Sequence, residues 1–260
     1  MLPEITVFHL LIVAIILLAG AVSGVAGFGF AVVGTMLLAT LIDPATAVVF
    51  MIVPVFGTNA ALARELSSEQ LRSCGTRFAP LVLATVVGTI VGMVALREIP
   101  RAPLTIGLGV LSLGFVATVQ RRVSVPGLGV AKSTCFVESV PAMVGIGAVG
   151  GAIFGGTNVG VQLIAYLRSV DLSHSLFVGV VAMVFLGVNG VRVGAAAALG
   201  LYPDQWLFVL SLAAVIPAVA GVAVGKRVRN AVSEAQRRGL VLSLLTIIGV
   251  RLLLGGFGVL

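Results

Sequence analysis

The sequence has 260 residues, of which 59% are hydrophobic and 10% charged, and its mean hydropathy is +1.22. A soluble domain carries about 25% charged residues, so this chain lacks the polar surface to cover a water-soluble globule. Its net charge of +7 sits mostly in short connections, with no basic patch interleaved with aromatics, which argues against a nucleic-acid partner and for a lipid bilayer as the solvent.

Apolar runs long enough to cross about 30 Å of hydrocarbon recur along the whole chain. The first covers residues 5–27. It resembles the core of a signal peptide but lacks a positively charged start, Glu4 being its only early charge, and it reads as a retained first helix. Segment 28–42 is short and follows a cluster of glycines, Gly24, Gly27 and Gly29. Segments 44–63, 77–97 and 102–120 complete a first half, residues 1–120. A linker, 121–138, is expected in the cytoplasm. The second half, 139–260, contains segments 139–156, 157–169, 173–200, 205–225 and 239–258. Of these, 157–169 is again short and again follows glycines, Gly150, Gly151, Gly155 and Gly156. The two short segments read as re-entrant arms or half-helices, which leaves about eight full spans.

Lys and Arg give the orientation. They cluster in 64–77 (Arg64, Arg72, Arg77), in 121–132 (Arg121, Arg122, Lys132) and in 226–238 (Lys226, Arg227, Arg229, Arg237, Arg238). With all three stretches inside, the segments alternate consistently and both termini lie outside. The link 97–101 then carries Arg97 and Arg101 on the outer face. Cys74 and Cys135 fall in or near cytoplasmic stretches, where a disulfide is not expected.

The halves resemble each other. When Ile42-Asp43-Pro44 is aligned with Val170-Asp171-Leu172, Gly27-Phe28-Gly29-Phe30 falls on Gly155-Gly156-Thr157-Asn158. Gly57-Thr58-Asn59 falls near Gly187-Val188-Asn189, and Gly88 and Gly92 match Gly221 and Gly225. Each half has an odd number of segments, so the second enters the membrane from the opposite side, as in inverted-repeat transporters.

Irregular backbone in a membrane survives only where it is buried or lines a wet cavity. The two glycine breaks are therefore the first candidates for a solute site, since a helix starting after such a break presents free N–H groups and a positive dipole end to an anion. The same glycines also serve close helix packing. The candidate binding residues are Gly27, Phe28 and Gly29 at the first break and Gly155, Gly156, Thr157, Asn158 and Gln162 at the second. Asn59, Asn189 and Arg192 join them. Buried amides are either ligands or glue between helices. Arg192, three residues after Asn189 and inside an apolar run, either binds an anion or snorkels outward; Arg251, nearer an end, snorkels.

All nine acids lie at or near segment ends. Positive charge without buried negative charge points to an anionic solute. His9 and His174 fit interfaces, and there is no GxSG, HExxH or P-loop sequence. Neither an enzyme, an ATP-driven pump, a metal site nor a cofactor is expected; a homo-oligomer is left open.

Two runs carry a family resemblance. Gly24-Val-Ala-Gly-Phe-Gly-Phe-Ala-Val-Val-Gly34, continued by Leu41-Ile-Asp-Pro-Ala-Thr-Ala-Val-Val49, resembles the first repeat of the TauE/SafE sulfite exporter family. Gly151-Ala-Ile-Phe-Gly-Gly-Thr-Asn-Val-Gly-Val-Gln-Leu-Ile-Ala-Tyr-Leu167 is similar to its second repeat. The resemblance covers essentially the whole chain. It implies a secondary carrier of the cell inner membrane, of about eight spans, for sulfite, sulfonates and related anions. The Gly-Phe-Gly-Phe stretch replaces a run of three glycines, and Gly-Gly-Thr-Asn-Val-Gly replaces a serine-glycine-proline stretch common in the family. Both departures lie at the candidate site. The alternatives are a carrier of another small anion, such as a carboxylate, and a passive anion channel.

Overall fold

The computed structural model describes residues 7–64, 66–119, 140–168, 174–231 and 233–259. In the first half, α1 is Val7–Ala26, α2 Phe30–Leu38, α3 Pro44–Phe50, α4 Ile52–Ala63, α5 Ser68–Leu96 and α6 Arg101–Val119. In the second, α7 is Val140–Thr157, α8 Val161–Arg168, α9 His174–Ala198, α10 Gln205–Ala213, α11 Val215–Val228 and α12 Glu234–Gly256. A 3₁₀ turn, Arg229–Ala231, leads from α11 toward α12. The described residues form no strand, and the chain is an all-α, multi-pass membrane protein. Seven stretches are long and apolar enough to cross a bilayer, and Arg101–Ala117 is a shorter apolar helix. The expected linker 121–138 lies outside the described residues, as does Cys135.

Several expected boundaries are corrected. The stretch 64–77 is not a loop. Helix α5 begins at Ser68 and carries Arg72 and Arg77 on its first turns. In 226–238, Lys226 and Arg227 form the last turn of α11, and α12 begins at Glu234 behind a Ser233–Gln236 capping box. Segments 44–63 and 205–225 are each two helices. Pro54 has no N–H to give the Phe50 carbonyl, and the helix breaks at Met51 between α3 and α4. The freed carbonyl accepts from Ser211 Oγ at 2.6 Å. Pro217 leaves the Ala213 carbonyl without a partner in the same way, beside the α10–α11 break at Ala214. Ser211→Ala is expected to strand the buried Phe50 carbonyl and cost about 1–3 kcal/mol, read as a lowered melting temperature in detergent.

Helices α2 and α8 have nine and eight residues, about 13 and 12 Å at 1.5 Å per residue. Neither is long enough to cross the bilayer. Asp43 caps α3 by accepting from the Thr46 N–H at 3.0 Å, with Pro44 in the first turn.

Four helix pairings dominate: α5 on α7, α1 on α11, α6 on α12 and α4 on α9. Exchange the halves, so that α1 becomes α7, α3–α4 becomes α9, α5 becomes α10–α11 and α6 becomes α12. The first two pairings swap, and the last two map onto themselves. The agreement extends to atoms. A Cβ on Gly88 or Gly92 of α5 would overlap the carbonyls of Ala148 or Ala152 of α7. One on Gly221 or Gly225 of α11 would overlap those of Leu17 or Ala21 of α1. These are the small-xxx-small contacts that drive helix association in lipid.

Contacts at the helix ends sort the connections by side. Arg229 Nε donates to the Gly24 carbonyl at 2.8 Å, and Lys226 Nζ to that of Ala61 at 3.4 Å. The ends of α1, α4 and α11 therefore share one face with these basic residues. On the other face, Arg101 Nε lies 3.9 Å from Asp43 Oδ1. That pair is exposed and adds little stability, but it puts the 97–101 link beside the start of α3.

Candidate functional site

A cavity with about 420 Å³ of atom-free space, counting its open mouth, lies among α1, α2, α4, α9 and the junction of α7 with α8. The start of α2 faces it directly. Gly27 (φ 83°) and Gly29 (φ 103°) are both left-handed, a region an L side chain enters at a cost of about 1–2 kcal/mol. They turn the chain sharply, so that Phe30, Ala31 and Val32 open α2 against the cavity. The first in-register bond of the helix is Val33 N–H to the Gly29 carbonyl, at 2.9 Å. The N–H groups of Phe30, Ala31 and Val32 precede it and have no helical acceptor, and no side chain caps them. They are the positive end of a helix dipole facing open space.

Of the expected site residues, Gly27, Phe28, Gly29, Asn59 and Asn158 line the cavity. Asn59, on α4, has no hydrogen-bond partner among the described residues and is free to bond a solute. Ser23, on α1, also lines the cavity; sequence reasoning missed it, although it stands one residue before the glycine cluster.

The other expected residues stand behind this wall. Arg192 is 1% exposed, the largest fully buried side chain described, and does not snorkel. Its NH1 donates to Asn158 Oδ1 at 2.6 Å and Asn189 Oδ1 at 3.2 Å, and NH2 donates to the Gly155 carbonyl at 3.2 Å. The guanidinium carbon lies 4.6 Å over the ring of Phe154, a residue that also lines the cavity. Among the described residues Arg192 has no carboxylate partner, and its Nε has no acceptor. Burying an ion costs several kcal/mol. Three charge-assisted bonds at about 1.5–3 kcal/mol each and a cation–π contact of about 2 kcal/mol offset that cost. They leave the charge itself unneutralised. Arg251, by contrast, is exposed.

Asn158 connects the two regions. It is the one described non-glycine residue at positive φ, 61°, which asparagine tolerates better than most residues, and it ends α7 one turn before α8. Its Nδ2 donates to Thr35 Oγ1 at 2.8 Å and to the Val48 carbonyl at 3.0 Å. Asn189 Nδ2 donates to the Phe185 carbonyl at 2.8 Å. Thr157 Oγ1 donates to the Ile153 carbonyl at 2.6 Å and accepts from the Val159 N–H at 3.2 Å. Gly155 and Gly156 pack against α5, where a Cβ on Gly155 would overlap the Thr89 carbonyl and one on Gly156 would sit 3.3 Å from the Gly92 carbonyl. Gln162 stays outside the cavity lining, its Oε1 buried without a partner. Thr35 and Phe154 were missed in the sequence. Each is a single residue inside an apolar run, with no spacing to mark it. No group of three or more His, Cys, Asp or Glu comes together among the described residues.

A bundle of apolar spans with two short helices meeting at a cavity that holds a few polar groups, Ser23, Thr58, Asn59 and Asn158, is the architecture of a membrane transporter. The chain matches the family model Sulfite exporter TauE/SafE over residues 12–252, and it belongs to that family. No curated protein and no solved structure matches the chain.

Proposed function

We propose that the protein is a secondary carrier of small sulfur-containing oxyanions, sulfite or organosulfonates, moving them out across the cell inner membrane by alternating access. The two halves act as inverted repeats, a reading supported by the helix pairings that survive their exchange. The solute lies against the N–H groups of Phe30, Ala31 and Val32 and the amide of Asn59, with the charge of Arg192 behind Asn158 and Phe154.

One observation carries this reading. A guanidinium is fully buried with no acid among the described residues to balance it, and a cavity lined by free N–H groups and a free amide adjoins it. In hydrocarbon that arrangement favours an anion and disfavours a cation or an inert scaffold. The family's name supports sulfite and the outward direction.

Asn59→Ala tests the site. Because Asn59 has no partner to lose, its removal is expected to leave the melting temperature of the unliganded protein within about 2 °C of wild type. It should weaken binding of sulfite or methanesulfonate about tenfold, in line with one hydrogen bond to a charged ligand. The readout is the anion-dependent rise in melting temperature, which follows occupancy of the folded state. An unaltered anion response would remove Asn59 from the site.

A further inference from the structure

The amide of Asn158 is engaged on every side. Nδ2 holds Thr35 Oγ1 and the Val48 carbonyl, on α2 and α3, and Oδ1 takes the shortest bond from Arg192, on α9. One side chain thus ties the first half, in the middle of α2 and in α3, to the second, three residues before α8 begins. The acceptors that Arg192 holds are all neutral: two amide oxygens and a peptide carbonyl. Nε holds none. An oxyanion is a stronger acceptor for a guanidinium than a neutral oxygen, by roughly twofold in bond strength. Asn158 lines the cavity and Arg192 does not, so an anion in the cavity can reach the guanidinium by displacing the Asn158 amide.

We infer that Asn158 is a latch opened by the transported anion: its Oδ1 keeps an oxyanion's place on Arg192, and the arriving anion takes that place. The inference rests on the anion-carrier reading and adds what the anion does to the fold. When Oδ1 is displaced, the side chain turns and Nδ2 leaves Thr35 and Val48. Helices α2 and α3 then come free of the α7–α8 junction, which lets one half move against the other. The planar fork of the guanidinium suits two oxygens on one centre, so the ligand class is a sulfonate, sulfite or carboxylate rather than a halide.

Thr35→Val tests the latch. Thr35 is buried and does not line the cavity, so the change removes an acceptor of Asn158 and leaves the solute's surroundings intact. Binding no longer has to break that bond. The Kd for methanesulfonate is expected to fall about fivefold, the equivalent of one neutral hydrogen bond, and Thr35→Ser should keep the wild-type Kd. A second measurement uses the wild-type protein alone. With methanesulfonate bound, the amides of residues 35–51 should exchange hydrogen faster, even as the global melting temperature rises. An unchanged or weaker Kd in Thr35→Val, or slower exchange over 35–51, overturns the latch and leaves the carrier reading standing. Absence of oxyanion binding by the wild-type protein overturns both.

Discussion

Arg192→Gln is expected to reduce oxyanion transport by about 100-fold or more, while the unliganded protein melts within about 3 °C of wild type. The two effects separate because they have different origins. Glutamine can still donate one bond to Asn158 or Asn189, and it removes a buried ion whose desolvation costs several kcal/mol. Against this stand the charge-assisted bonds at 2.6 and 3.2 Å that are lost. The stability terms oppose each other and nearly cancel. Transport has no such compensation. An anion in hydrocarbon without a counter-charge forfeits two charge-assisted bonds of about 1.5–3 kcal/mol each, which is the source of the 100-fold. Flux into proteoliposomes and thermal melts on the same preparation give both numbers. A variant that transports normally would place the charge of Arg192 outside the mechanism.

Gly88→Leu and Gly221→Leu should be among the most damaging single substitutions in the bundle, and they should cost similar amounts. At Gly88 a Cβ already overlaps the Ala148 carbonyl, and at Gly221 it overlaps that of Leu17. Both obstacles are backbone on a facing helix, which cannot rotate away as a side chain can. Separating α5 from α7, or α1 from α11, loses the dispersion contacts that hold membrane helices together. A cost of about 3 kcal/mol or more follows, at the upper end of overpacking penalties. Yield of monodisperse protein and its melting temperature report the loss. Gly107→Leu is the control, since a Cβ on Gly107 of α6 meets nothing within 4 Å. If Gly88→Leu is damaging and Gly221→Leu is tolerated, the two halves are not packed as equivalents.

Much of the fold was legible because lipid imposes a single strong rule on composition. Each expected apolar segment contains a helix, and the Asp43-Pro44 start of α3 is written in its residues. The breaks inside 44–63 and 205–225 were missed although Pro54 and Pro217 mark them. Hydropathy does not change across a proline kink, and only the missing N–H betrays it. The N-terminal extension of α5 through Arg72 and Arg77 lies outside the expected segment 77–97 because charge, not helical propensity, sets that expected boundary.

The site was legible in its parts and not in its arrangement. The glycine breaks announced that two short helices would start in the membrane, and Arg192 announced itself as a cation where none is cheap. That Asn158 would face both Thr35 and Arg192 depends on contacts between residues 123 and 34 positions apart. No local pattern encodes them. Ser211, which satisfies the carbonyl freed by Pro54, is 161 positions from it.

The most direct test of the central claim is counterflow in proteoliposomes containing the purified protein. Vesicles loaded with unlabelled sulfite are placed in a trace of radiolabelled sulfite, and uptake of label is followed. An alternating carrier predicts saturable uptake, with label transiently concentrated inside and the rate raised by unlabelled sulfite or methanesulfonate on the far side. Uptake no faster than in protein-free vesicles, or uptake that rises linearly with concentration and ignores the far side, contradicts the account.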